Sequence, residues 1–403
     1  MSDRRRRAAA VLITAALSTA ALTACQSGDA ATGSGADDPT SSASSADATP
    51  VPALRLTASI HKGATDVPVD QVVSVSAQGG TITAVELTSE AGALPGEIST
   101  DGSSWTASEG LEPGTSYTMT TTAAKTDGTT VDRTTSFSTQ ALTLDQQTYP
   151  SVAPLGGETV GVGMPVIVTF DLPVTDKAAF EKHMTVTAKP AQQGSWHWIS
   201  STEAHWRPKA YWKAGSDVHV DVDVNSVNAG NGIYGQESRA LNFHVGDAHV
   251  YRVNMVTDQM KVLSNGKLLR TIPITTGEQP AYTTRSGVKV IIEKFESKDM
   301  NSETVGITGA DAYNIEDVQY AMRLTYSGEF IHAAPWSVAY QGNSNVSHGC
   351  TGMSTENAGW LYAMTRRGDV VEYTGTDKPM TLTNGYGDWN ESYQQYQQGS
   401  ALS

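Results

Sequence analysis

Cysteine is almost missing from this chain. Two thiols, Cys25 and Cys350, stand in 403 residues, which excludes a disulfide-stapled scaffold and the paired-cysteine spacings of structural zinc modules. Positive charge is also short. Lys and Arg number 27 against 42 Asp and Glu, a net charge of −15, and that balance excludes the electrostatic footprint of a nucleic-acid binder. Long hydrophobic runs are missing as well. The Ala8–Leu22 stretch falls short of an ordinary membrane-spanning helix. What the chain has in quantity is Gly, Ser and Thr, a composition of strands and turns rather than of a helical bundle. Its length predicts two to three domains.

The first residues read as a targeting segment. Arg4, Arg5, Arg6 and Arg7 precede the apolar stretch, and Leu22-Thr23-Ala24-Cys25 closes it. That ending resembles a bacterial lipobox, in which the cysteine becomes a lipid-bearing N-terminus; an ordinary signal peptide or a twin-arginine route are the alternatives. The expectation is a signal peptide over 1–24, lipid on Cys25, and a place on the outer face of the cell membrane. Residues 25–50 then carry no large apolar side chain and are expected to be a flexible tether.

Period-two patterns dominate 51–140, as in Thr81-Ile-Thr-Ala-Val85-Glu-Leu87 and Tyr117-Thr-Met119-Thr. Turn pairs such as Gly79-Gly80 and Asp127-Gly128 separate them, which predicts an immunoglobulin-like β-sandwich. Residues 141–246 repeat the plan, with Val166–Phe170, Val218–Val224 and Leu241–Val245 as strands. Trp196, Trp198, Trp206, Tyr211 and Trp212 favour core and interdomain packing over a sugar platform. From 247 to 375 the pattern changes. A hairpin turns at Asn265-Gly266, strands continue through Val290, and Ser354 caps a helix that Arg366-Arg367-Gly368 closes. Residues 376–403 hold Tyr386, Trp389, Tyr393 and Tyr396 and are expected to fold back on that third domain.

Candidate chemistry concentrates in 331–350. Cys350 is a lone thiol with His332 eighteen residues upstream and His348 two residues away. A cysteine attacks as thiolate, so it needs a base or a depressed pKa. Gly349 removes a Cβ where a substrate carbonyl would approach, and the Gly349 and Cys350 amides suit an oxyanion hole. The helix that follows is expected to favour the thiolate through its N-terminus. The plain alternatives are a buried structural Cys350 and a His348 that merely hydrogen-bonds its loop. Zinc-ligand spacing is absent from His332, His348 and Cys350, so neither metal nor cofactor is expected.

Ile331-His332-Ala-Ala-Pro-Trp336-Ser, then Ser347-His348-Gly349-Cys350, then Gly368-Asp369-Val-Val-Glu together resemble the L,D-transpeptidases, bacterial cell-wall enzymes with a YkuD-type catalytic domain. Two sandwich modules, a catalytic domain and a tail with Gly387-Asp388-Trp389-Asn390 are similar to the actinobacterial layout. The resemblance implies a mainly β chain: two immunoglobulin-like sandwiches, then a mixed β-sandwich catalytic domain with one or two helices. Cys350 would be the acyl-accepting nucleophile and His332 the general base, oriented by the carbonyl of residue 333. His348 would support the thiol, and Gly349 would offer a backbone oxyanion donor. Tyr313, Tyr326, Trp336 and Asn345 would line the substrate path, under a lid from about Met300 to Gly328. Peptidoglycan stem peptides would be donor and acceptor, joined by 3→3 cross-links with release of D-alanine, and carbapenems would acylate the cysteine. Association with other wall synthases, hydrolysis of the thioester by water, and a wall-binding scaffold are the neighbouring readings. Ala333 and Gly352 depart from the family, which commonly has Ser after the base and Arg or Asn two residues after the nucleophile.

Overall fold

Alternation in the sequence becomes two facing sheets over the first module. In the computed structural model, which describes residues 53–306 and 308–403, the strand Ser116–Lys125 buries Tyr117, Met119, Thr121 and Ala123 and exposes or half-exposes the residues between. Its sheet runs Gly92–Leu94, Gly80–Ser89, Ser116–Lys125, Thr130–Ser138. The opposite sheet holds Arg55–Ala58, Ser74–Gln78, Ser104–Ala107 and Gly96–Ile98. Trp105, Leu111, Tyr117 and Phe137 fill the gap between them. The Glu112 N–H donates to the Tyr117 hydroxyl at 2.8 Å, pinning a loop to the core. Cys25 and the leader lie outside the described residues.

The second sandwich pairs two further four-stranded sheets, one around Val166–Phe170 and Glu203–Pro208, the other around Asp217–Val222 and Arg239–Val245. Trp196, Trp198, Trp206 and Trp212 are all buried, so packing, not a sugar platform, is their role. The indole N–H groups of three of them donate inward: Trp196 to Met184 O, Trp198 to Glu181 Oε2, Trp212 to Met164 O. This core does not close on itself. It runs on into Val290, Ile292 and Val370 of the third domain and Tyr386 of the tail. Gly161 and Gly163 are glycines because the backbones meet there. Their N–H groups donate to Arg367 O and Gly368 O at 2.8 Å, and a Cβ on Gly161 would lie 2.2 Å from Asp369 N. By contrast, the contacts between the two sandwiches include side-chain hydrogen bonds from Ser226 to Leu111 O and from Asn225 to Glu112, and their cores are separate.

The third domain is the expected mixed sandwich. A five-stranded sheet, Lys267–Pro273, Gln259–Ser264, His249–Asn254, Val370–Thr374, Gly287–Val290, faces a four-stranded one, Glu293–Asn301, Asn314–Arg323, Phe330–Ala333, Thr351–Met353. Asn265 and Gly266 both take positive φ at the hairpin turn. Ser354 caps the helix Thr355–Met364 by accepting from Asn357 N. Ala358 and Leu361 of this helix join the core of Tyr251, Val262, Met322, Ile331 and Met353. Gly368-Asp369 has a structural reason: the buried Asp369 carboxylate accepts from Arg366 N–H at 2.8 Å and from the Tyr251 hydroxyl at 3.2 Å, with His249 Nδ1 at 3.0 Å.

The tail departs from expectation. It lies on the second sandwich as much as on the third domain. Trp389 Nε1 donates to Gly163 O and Ala401 N to Glu181, while Asn390 exchanges two hydrogen bonds with the backbone of Val288. Its lock is ionic. His205 Nδ1 and the Tyr396 hydroxyl each lie 2.9 Å from Asp388 Oδ1, and Arg207 sits over the ring of Tyr396 at 4.3 Å. The tail sequence alone does not disclose His205 and Arg207, which are two hundred residues away in the chain to within a few tens.

Burial alone would push the His205 imidazole down, but Asp388 and Glu203 outweigh it and hold it up at about 9. Burial likewise opposes the Asp388 charge, and His205 and Tyr396 more than offset it, so its carboxyl sits below the usual range. The raised histidine contributes stability in full below its unfolded value and loses it as pH rises through about 9. The depressed aspartate contributes above its own unfolded value and loses it in acid. Both terms are present between about pH 4 and 6.5. Asp388→Asn is expected to cost about 3 kcal/mol at roughly pH 5.5. In urea unfolding the deficit should shrink above about pH 9.5; a pH-independent deficit would exclude the ionic lock.

Candidate active site

Strand register brings the candidate residues together. Phe330–Ala333 pairs in parallel with Thr351–Met353, Ile331 opposite Thr351 and His332 opposite Gly352. Ile331, Ala333 and Met353 face the core with the helix. Alternation therefore turns Phe330, His332 and Cys350 to the other side, where Phe330 and Cys350 share a cluster with Met300, Val318 and Ala321. The long loop between the two strands is stitched down at several points. Asn345 Oδ1 accepts from Thr276 N at 2.6 Å, Thr275 Oγ1 donates to Ser344 O at 2.8 Å, and Thr284 Oγ1 donates to Gly349 O at 2.8 Å.

His332 is buried, and its Nδ1 lies 2.8 Å from Ala333 O. A carbonyl only accepts, so Nδ1 carries the proton and Nε2 keeps its lone pair. Burial pushes the imidazole below its ordinary value, against the opposing pull of that carbonyl, so the ring is neutral at neutral pH. The methyl of Ala333 is no handicap to this arrangement, because the backbone does the orienting. Trp336 stacks at 5.9 Å on the histidine's ring.

Cys350 is buried, and burial pushes its thiol up to about 11; a Phe330 N–H on the sulfur pulls the other way and Glu329 adds to the rise. The S–H donates to Gly328 O at 3.5 Å. The resting group is a thiol, and it needs a base. Two expectations are corrected here. The strand Thr351–Met353 separates Cys350 from the helix, so the helix N-terminus does not act on the sulfur. The Gly349 N–H donates to Ser347 Oγ at 3.1 Å, whose own hydroxyl donates to Cys350 O at 2.6 Å. That tight serine turn uses the Gly349 amide locally, so it is not a free oxyanion donor in this state. Gly349 is required instead for its φ of 121°.

The thiol opens into a cavity of about 230 Å³ lined in part by Met300, Asn301, Tyr313, Arg323, Tyr326 and Gly328. Tyr313 and Tyr326 thus sit where substrate would lie. Burial pushes the Tyr313 phenol up to about 12, so it stays protonated as a donor, while Tyr326 is over half exposed. Two expected lining residues do not reach the cavity. Asn345 is committed to Thr276 and Met255 O, and Trp336 stands over half exposed on the histidine side. His348 lies between the rings of Tyr282 at 4.4 Å and Tyr313 at 4.9 Å, joining the Cys350 loop to both. Sequence reading missed Arg323, whose guanidinium lies over Phe330 and pairs with Glu293 at 3.0 Å. Nothing in the run Tyr320-Ala-Met-Arg323 distinguishes it from an ordinary strand-end arginine.

The comparisons with known proteins follow this geometry. Residues 248–372 match the model of the L,D-transpeptidase catalytic domain, and 64–228 match that of a bacterial Ig domain. L,D-transpeptidase 2 of Mycobacterium tuberculosis is 35% identical over 86% of this chain and 85% of its own. The chain belongs to the L,D-transpeptidase family. L,D-transpeptidase 5 of the same organism is 34% identical over 88% of this chain and 78% of its own. A crystal structure of L,D-transpeptidase 3 of M. tuberculosis in complex with a faropenem-derived adduct is 31% identical, covering 56% of this chain and 97% of its own, with a TM-score of 0.47.

Within this L,D-transpeptidase, Gly352 answers to packing. A Cβ there would lie 2.8 Å from Ala334 Cβ and 3.2 Å from Thr275 Cγ2. Placing a side chain there by Gly352→Asn should overpack the site at a cost of about 1–3 kcal/mol. Adding Ala334→Gly should recover part of that loss in thermal unfolding; no loss in the single variant would show that the strand pair yields freely.

Proposed function

We propose that this protein forms 3→3 peptidoglycan cross-links through a Cys350 thioester. The observation that carries the reading is the fixed tautomer of His332, on the strand face it shares with Cys350, whose thiol opens into a cavity. The donor is a tetrapeptide stem. Its approach transfers the Cys350 proton to His332 Nε2, and the sulfur attacks the carbonyl carbon of the third, diamino residue. The Cys350 N–H is the oxyanion donor, and Tyr313 and Arg323 face the stem, the arginine suited to its carboxylates. The C–N bond to D-alanine breaks, and the imidazolium returns the proton to the leaving amine. The side-chain amine of a second stem then attacks the thioester, gives a proton to His332, and releases the thiol with a new amide bond.

A carbapenem added to the purified protein should give a mass increase confined to Cys350 and lost in Cys350→Ser. His332→Ala should slow acylation roughly 10²–10⁴-fold. Tetrapeptide muropeptides should yield cross-linked dimers; tripeptides alone would make the protein a carboxypeptidase, and no Cys350 adduct would end the thioester reading.

The leader pattern supports a lipid on Cys25 and a place on the outer face of the cell membrane, with wall peptides as partners and other wall synthases within reach. In a bacterial host, Cys25→Ala should move the protein from the membrane fraction to the medium or periplasm. Retention in the membrane would remove the lipid anchor.

A further inference from the structure

A lysine occupies a core position on the strand Gly287–Val290. Val288 and Val290 pack toward the second sandwich, so alternation turns Lys289 the other way, into the catalytic domain, where it is fully buried. Its Nζ lies 2.5 Å from Glu329 Oε2 and 3.7 Å from the centre of the Tyr373 ring. The other oxygen of Glu329 accepts from Arg285 N and Nη1 at 3.1 and 3.0 Å. Replacing a buried ion pair by apolar side chains of similar volume is often neutral for stability, so packing is a weak reason for this pair.

Its neighbours converge on the nucleophile from two sides. Glu329 stands between Gly328, whose carbonyl accepts the Cys350 S–H, and Phe330, whose N–H points at the sulfur. On the other side, the Tyr373 hydroxyl bonds Thr351 Oγ1 at 2.7 Å, one residue past the thiol. We propose that Lys289 is a positioning residue for the Cys350 thiolate. Through Glu329 it fixes the Gly328–Phe330 backbone against the sulfur, and its ammonium balances a buried carboxylate that would otherwise hold the thiol protonated.

The charges act in the same direction as the geometry. Besides burial, the Glu329 carboxylate raises the thiol's ionisation and Lys289 and Arg323 lower it. The other titratable groups about the site are His332 and His348, the phenols Tyr313 and Tyr373, Arg285 on the far side of Glu329, and Lys298 and Asp299 at the cavity wall. None of them replaces Lys289 at the Glu329 Oε2 atom.

The inference rests on Cys350 as the nucleophile but not on any wall substrate, and the test keeps the two apart. Alkylation of Cys350 by iodoacetamide reads the thiolate directly and is followed by mass spectrometry across pH in the full chain. Burial holds the Lys289 ammonium down at about 8, so below about pH 8 the alkylation rate of Lys289→Met should fall under that of the parent chain, and above it, where the lysine has lost its charge, the two should match. In Glu329→Gln, with Lys289 still held over Tyr373, the midpoint should fall. A merely structural role would lower the Lys289→Met rate equally at every pH and leave the Glu329→Gln midpoint unmoved, which would overturn the proposal. Should Lys289→Met fail to fold, Glu329→Gln decides by itself: a lower midpoint supports the assignment, and an unchanged one overturns it. Failure of muropeptide cross-linking with these shifts intact would count against the substrate and leave Lys289 in place.

Discussion

The parallel pairing of Phe330–Ala333 with Thr351–Met353 is the constraint on which the site depends. It places two strands eighteen residues apart in sequence side by side and in a register that no slip of one residue would preserve. One face of the pair is held by the core of Ile331, Ala333, Met353 and the helix. The opposite face then presents His332 and Cys350 to the same space. A shift of a single position would send the imidazole into that core and a methyl group into the cavity. The loop between the strands is long, yet it is anchored to Thr275, Thr276 and Thr284, so the register is secured at both ends.

Rigidity spreads from there in one direction. The second sandwich shares its core with Val290 and Val370, the glycines at 161 and 163 bring backbones into contact, and the tail spans both. Glu158 adds a charged clamp to Arg367 at 2.5 Å. This half of the molecule moves as a unit if it moves at all. Between the two sandwiches the cores are separate, and side-chain hydrogen bonds are among the contacts that cross.

Buried charge has three separate uses in this fold. Asp369 satisfies the backbone at the end of the helix and ties it to the first strand of the domain. Asp388 locks the tail to His205. The Lys289–Glu329 pair lies under the thiol. The first two are explained by the elements they join. In each, donors meet one carboxylate oxygen, Asp369 Oδ2 or Asp388 Oδ1, and offset part of the cost of burying the charge.

Much of the fold was legible because period-two alternation, the Asn265-Gly266 turn and the Ser354 cap are local signals that act through nearest neighbours. The spacing of His332 and Cys350 and the Ser-His-Gly-Cys run pointed to the candidate residues, and the carbonyl of residue 333 as orienter came with the family resemblance; the structure sets it 2.8 Å from His332 Nδ1. What depended on distant contacts was not legible. Lys289 looks like a solvent-facing residue between two valines, since alternation says which residues share a face but not which face meets water. Asn345 looks like a substrate ligand until Thr276 and Met255 are seen to occupy it, and Gly349 looks like an oxyanion donor until Ser347 turns to take its N–H. Sequence alone determined the chemistry available to this protein, because reactivity belongs to residue types and short spacings. Tertiary structure alone decided which polar groups remain free to use it, because a hydrogen bond or a charge is spent or spared by partners a hundred residues away.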